Sequence, residues 1–276
     1  RIIVGSKRLG TTSASRRTHK SNLPTASASV KGMLGLTSDS SYRNSDVEVE
    51  LLTADLTDAF WQVPLRKSER RFFVICFPGE SLVFLRTAQG SRGAPLSWAA
   101  VASVVARIVQ SLFQTKSGEE ARLQLYVDDP IIALRGTTAR RHRLAAKFVA
   151  VFLVLGFPLA FSKAQRGPEV VWIGVAFSIR KWEVEARIPA GKLQELEAMI
   201  LELLAKNVAP VKTVRSSGVK ATNISTILYV WRPFLRQIWS AIAAFEAGDT
   251  GAAPPQCLWT KQIFIALRWI LAFIRG

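Results

Sequence analysis

Asp128 and Asp129 stand side by side between two apolar runs, Leu123 to Val127 and Ile131 to Leu134. No other feature constrains the fold as much. Both runs have strand length and carry branched aliphatic residues, so the chain turns at the acids and the runs pair as a hairpin. Adjacent carboxylates at a hairpin tip repel each other, and a solvated turn rarely needs such apolar flanks. A divalent cation relieves the repulsion, and Mg²⁺ takes hard oxygen ligands while leaving places for phosphate oxygens. A further acid ends a second strand pattern. Val47, Val49 and Leu51 alternate with Glu48 and Glu50 up to Asp55, and Asp58-Ala59-Phe60 follows. Two ions about 3.5–4 Å apart, held by such carboxylates, activate an attacking hydroxyl and stabilise a leaving phosphate. On the carboxylates alone, two solvated turns are an equal reading, because acids are common at turns.

The remaining patterns describe a mixed α+β block followed by a helical one. Arg71 to Phe77 and Ser81 to Arg86 flank Pro78-Gly79-Glu80 and read as a hairpin. Pro95 opens a helix to about Gln114, with Leu96, Ala99, Ala102, Val105, Ile108, Val109 and Leu112 on one side. A second helix spans Thr137 to Leu155 and closes at Gly156. Strands are expected at Leu159 to Ser162, Val170 to Ser178 and Trp182 to Ile188. Helices are expected at Lys192 to Lys206, Asn223 to Ala247 and Cys257 to Arg275. Residues 1–46, rich in Ser and Thr with scattered Lys and Arg, read as irregular.

In chain order, Asp55-(x)₂-Asp58-Ala59-Phe60, Gln89-Gly90-(x)₃-Ala94-Pro95 and Tyr126-Val127-Asp128-Asp129 closely resemble the reverse transcriptase family of the retroviral and retrotransposon type. Leu155-Gly156-Phe157-Pro158-Leu159 with Lys163 is similar to the family's next motif, and Trp172-Ile173-Gly174 to its primer-contacting turn. The resemblance runs from about Leu51 to Ile179 and continues more weakly after Pro189. It implies an α+β right-hand polymerase, with partial fingers, a palm of antiparallel sheet and packed helices, and a helical thumb-like region. The implied divisions are a basic N-terminal segment (1–46), fingers and palm (47–189) and a thumb or connection-like region (190–276).

By the same likeness Asp55, Asp128 and Asp129 hold two Mg²⁺ ions, with Mn²⁺ as an alternative and the Leu56 carbonyl as a further ligand. Asp58, Ala59, Phe60, Gln89, Gly90 and Tyr126 line the nucleotide site, Phe60 excluding a 2′-hydroxyl and Tyr126 lying near the primer end. Lys163 approaches the pyrophosphate as general acid, and Trp172 to Gly174 hold the primer end. The implied partners are an RNA or DNA template with its primer and deoxynucleoside triphosphates. Taken singly, Phe60 reads as a core aromatic, Gln89 as a turn cap and Lys163 as a solvated cation.

Three departures from the family pattern stand out. Pro130 follows the aspartate pair and removes a backbone donor. No basic finger strands precede Val47, although Arg66, Lys67, Arg70 and Arg71 can partly serve. Beyond Leu204 the only acids are Glu246 and Asp249, too few for a ribonuclease H or an integrase.

The net charge of +17 points to a polyanionic partner. No membrane span is expected: Phe148 to Phe161 contains Gly156 and Pro158, and Ile263 to Ile274 contains Arg268. Cys76, Cys257, His19 and His142 are too few for a disulfide framework or a zinc site, so a reducing interior, cytoplasmic or nuclear, is expected. Arg1-Ile2-Ile3-Val4 lacks a signal pattern and an initiator Met, as in a slice of a longer product. The rival to an active polymerase is a decayed element copy that binds nucleic acid without turnover.

Overall fold

The computed structural model describes residues 23–38, 47–115, 118–181, 183–249 and 251–276. The irregular reading of residues 1–22 and 39–46, the place of His19 and the start of a strand at Trp182 lie outside the described residues. Two compact units divide the chain, one running through Ile173 with Ser178–Val184 added, the other comprising Gly174–Phe177 and Glu185–Gly276.

The first unit opens with α1 (Ala26–Thr37) and β1 (Glu48–Leu56), followed by a short hairpin of β2 (Val74–Phe77) and β3 (Glu80–Val83). Helix α2 (Ala94–Ser111) leads through β4 (Gln114–Thr115) and β5 (Gly118–Glu119) to β6 (Ala121–Tyr126) and β7 (Asp129–Gly136). Helix α3 (Thr138–Val154), β8 (Leu159–Gly167) and β9 (Glu169–Trp172) complete it. The sheet that matters has the order β6-β7-β1-β8, with each neighbouring pair antiparallel.

β1 therefore lies inside the sheet, and its apolar residues are covered on both faces. Leu52, Ala54 and Leu56 pack with Trp98 and Val105 of α2 and Phe148 and Phe152 of α3. Asp55 alternates onto the opposite face with Thr53 and Leu51. Glu50 shares the helix face, where Arg141 of α3, almost wholly buried, reaches it at 3.3 Å and Glu48 at 2.9 Å. Arg166 of β8 completes the cluster with two 3.0 Å bonds to Glu50. So the acids of the alternation are partners of a buried arginine as well as a solvated stripe.

Residues 26–37 correct the irregular reading. Thr25 caps α1 by accepting the Ala28 N–H at 3.2 Å, and Ala26, Ser29, Met33 and Leu36 form its buried face. Gly32 and Gly35 obscured that helix in the sequence. The buried face of α2 also differs from expectation. It runs Ala94, Trp98, Ala102, Val105, Val109, while Ile108 and Leu112 are exposed.

At the sheet's β6 edge, the Gln110 side chain donates to Ala121 O at 2.9 Å and accepts from Leu123 N at 2.8 Å. β8 extends to Gly167, so Lys163 sits on a strand. The expected strand at 170–178 is two strands, β9 and β10 (Val175–Arg180), turning at Ile173-Gly174; β11 (Glu183–Arg187) joins them in the order β11-β10-β9.

The second unit is largely helical: α4 (Ala190–Leu204), α5 (Val211–Ile224), α6 (Arg232–Glu246) and α7 (Phe264–Arg275). A two-stranded sheet of β12 (Val208–Pro210) and β13 (Cys257–Trp259) joins them. The single helix expected at 223–247 is instead α5 ending at Ile224 and α6 beginning at Arg232. Pro233 belongs to the first turn of α6, where its missing N–H costs nothing. The helix expected from Cys257 starts only at Phe264, because Cys257–Trp259 pairs with β12. Gly218 lets α5 approach α6 closely: a Cβ there would lie 3.3 Å from Ile238 and 3.5 Å from the Trp239 ring.

Candidate active site

The antiparallel register brings two of the acids together. Thr53 faces Ile131, and two residues further along each strand Asp55 faces Asp129. Leu56 N donates to Asp128 O at 2.7 Å, which keeps the same register to the end of β1. Positions 56 and 128 thus form a hydrogen-bonded pair, and 55 opposite 129 is the intervening pair whose side chains stand closest. Burial, the hydrogen bond that the protonated Asp129 carboxyl donates to Asp55, and the charges of Asp55 and Asp128 push the Asp129 carboxyl up to about 7. Lys163 opposes this, its ammonium lying 3.9 Å from the Asp55 carboxylate on a largely exposed side chain.

Register also locates Pro130. It pairs with Leu125 on the β6 side, and on the β1 side its nitrogen faces the Ala54 carbonyl in what would be a hydrogen-bonded pair. The proline therefore removes one ladder bond beside Asp55, in an interior strand where proline is rare. Asp129 takes the extended conformation that the residue before proline prefers.

The β6–β7 hairpin turns on two residues, Val127 and Asp128, between the paired Tyr126 and Asp129. Val127 has φ 54°, left-handed and costly for a β-branched residue. Its carbonyl accepts the Trp98 indole N–H at 2.7 Å, and the Asp129 carbonyl accepts the Trp172 indole N–H at 2.9 Å. With Leu56 N on Asp128 O, the carbonyls of 127, 128 and 129 are each held by a donor from a different element.

The other expected site residues occupy various settings. Leu56 is buried, its N–H used on Asp128 O. Asp58 has φ 52° and precedes a 3₁₀ turn at Ala59–Gln62, with Ala59 buried. Phe60 is half-buried and packs on the same core as Trp98. Gln89 is half-buried in a turn whose Gly90 has φ 96°. Tyr126 meets Trp172 edge-on with centroids 6.3 Å apart. Trp172 is itself buried, while Ile173 and Gly174 at the turn that follows are partly exposed. Among the described residues, no three His, Cys, Asp or Glu side chains converge as ligands of one ion; the convergent pair is Asp55 and Asp129.

A family model for reverse transcriptase (RNA-dependent DNA polymerase) matches residues 14–177. The chain belongs to the reverse transcriptase family. Its fold is that of the family's polymerase structures. A foamy viral protease–reverse transcriptase in complex with double-stranded DNA matches with TM-score 0.57 and 17% identity, over 99% of this chain and 41% of that one. A foamy viral protease–reverse transcriptase in complex with an RNA/DNA hybrid matches with TM-score 0.53 and 18% identity, over 82% of this chain and 27% of that one. The chain thus spans less than half the length of these relatives.

Within this member of the family, sequence reasoning missed Trp98. The signal was available: a tryptophan four residues past the start of α2, where a core position that needs no donor would accept any large apolar side chain. Among the described residues no helix is long and apolar enough to cross a membrane.

Proposed function

We propose that this chain is the polymerase part of a retroelement-encoded reverse transcriptase, adding deoxynucleotides to a primer end on an RNA or DNA template. The supporting observation is the placement of Asp55 opposite Asp129, with Asp128 in the adjoining turn, in a chain of this family. The first unit serves as fingers and palm, and the second as a thumb.

The donor set fits divalent metal: hard carboxylate oxygens crowded enough to raise Asp129 to about 7, with the exposed Lys163 offsetting them in part. Asp55, Asp128 and Asp129, with the Leu56 carbonyl, would hold two Mg²⁺ or Mn²⁺ ions. Such ions supply the charge neutralisation that phosphoryl transfer requires. The chain's own residues do the rest. Phe60 limits the sugar, Gln89 and Gly90 with the backbone of Asp58 and Ala59 line the nucleotide, and Tyr126 supports the primer end. Lys163, free to swing from its strand, offers a proton to the departing pyrophosphate. The basic excess binds template and primer through their phosphates.

Primer extension on an RNA template with Mg²⁺ or Mn²⁺ tests the reading. Extension by the wild type but not by Asp128→Asn supports it. Template binding without extension in either metal would establish the decayed copy, the reading that Pro130 favours.

A further inference from the structure

We propose that Trp98 is a positioning residue for the acidic hairpin: its indole N–H holds Val127 in the left-handed region and so fixes the backbone that carries Asp128 and sets Asp129 opposite Asp55. The inference rests on the polymerase reading for its functional consequence, but its structural content stands on the hairpin alone.

A two-residue turn whose first residue has positive φ suits glycine. Val127 occupies that place at φ 54°, a conformation that persists only when its surroundings enforce it. Two peptide planes meet at each residue, so fixing the Val127 and Asp128 carbonyls fixes the backbone that carries Asp128. Leu56 N fixes one and Trp98 Nε1 the other. The indole suits this task. It is 1% exposed, its ring is packed edge-on against Phe157 at 5.8 Å, and its helix is anchored in the main core. A donor so placed cannot follow the carbonyl if the turn relaxes, and the 2.7 Å bond is short for N–H···O. Phenylalanine would fill nearly the same space, so packing alone does not call for the nitrogen.

The test is Trp98→Phe, which keeps a large ring and deletes the donor. Mn²⁺ binding is read by electron paramagnetic resonance, and steady-state extension separates kcat from the deoxynucleotide KM. One backbone hydrogen bond corresponds to about a tenfold effect. The expected result is Mn²⁺ binding about tenfold weaker and kcat about tenfold lower, with KM unchanged and melting lowered by only a few degrees. A folded variant that binds Mn²⁺ and turns over like the wild type overturns the proposal.

Should Trp98→Phe fail to fold, the same substitution in a Val127→Gly background decides. Glycine carries no left-handed cost, so the double variant should fold and bind Mn²⁺; if it stays unfolded, Trp98 serves packing and the proposal fails. A wild type that neither binds Mn²⁺ nor extends a primer refutes the polymerase reading instead. Hydrogen exchange at Trp98 Nε1 then judges the clamp itself, slow exchange supporting it and fast exchange overturning it.

Discussion

Asp129→Asn should stabilise the metal-free protein at neutral pH while removing it from the reaction. In the folded chain the Asp129 carboxyl is raised from 3.8 to about 7, first by burial and then by its bond and charge contacts with Asp55 and the charge of Asp128. Between those two values the folded state holds a proton that the unfolded chain has released. Stability from this group is therefore full below pH 3.8, falls as pH rises towards 7, and is flat above. From pH 5 to 8 an unscreened group would lose about 2.7 kcal/mol, at 1.36 kcal/mol per unit. Asp129 is only half-buried, so solvent screening reduces this to about 1 kcal/mol.

At this chain length about 1 kcal/mol shifts melting by about 2–4 °C. Melting curves in chelator at pH 5, 6, 7 and 8 measure it, and the difference between wild type and Asp129→Asn isolates this carboxyl from every other titrating group. The variant should match the wild type only near pH 3.8 and below, already exceed it slightly at pH 5, and exceed it by about 1 kcal/mol more at pH 8. A constant difference across the range would refute the cross-strand acid pair. Added Mg²⁺ should raise wild-type melting at pH 8 and leave Asp129→Asn less affected.

Asp128→Asn should abolish extension while leaving template binding largely intact, as measured by filter binding beside primer extension. Phe60→Val should raise ribonucleotide incorporation about ten- to hundredfold relative to deoxynucleotides, the equivalent of relieving about 1–3 kcal/mol of clash; an unchanged ratio in a competition assay, with both activities reduced, would leave Phe60 as a core residue. Arg141→Ala strips Glu48 and Glu50 of a buried partner and should cost about 3 kcal/mol by chemical denaturation, whereas an exposed ion pair such as Lys206–Glu202 should cost little. Template affinity should fall linearly with salt on logarithmic axes.

Much of the palm was legible because its signals are local. The alternation before Asp55, the apolar flanks of Asp128-Asp129 and the Gly156 helix end each depend on a few adjacent residues. The cross-strand partner of Asp55 was not legible. Whether 128 or 129 faces it is a matter of register, and register depends on hydrogen bonds between segments about 75 residues apart in sequence. Pro130 was legible as a lost backbone donor, but only the sheet order shows that β7 has neighbours on both sides, so that the loss falls in an interior strand. In the second unit, Gly218 and the serines before it broke the helical pattern of α5. The missing side chain of Gly218 serves the approach of α6, which a single-segment reading cannot see.

The Gln110 amide has a consequence for how copies of this chain can associate. Along β6, alternate residues turn their peptide groups out of the sheet, and these are the groups an incoming strand would need. Gln110 presents one donor and one acceptor to Ala121 O and Leu123 N, in the spacing of a peptide unit. An added strand could then pair only around Leu125, before the turn at Val127 ends the edge. A sheet blocked in this way does not grow by edge-to-edge addition from that side, so a basic, apolar-rich chain keeps its palm from seeding aggregates there.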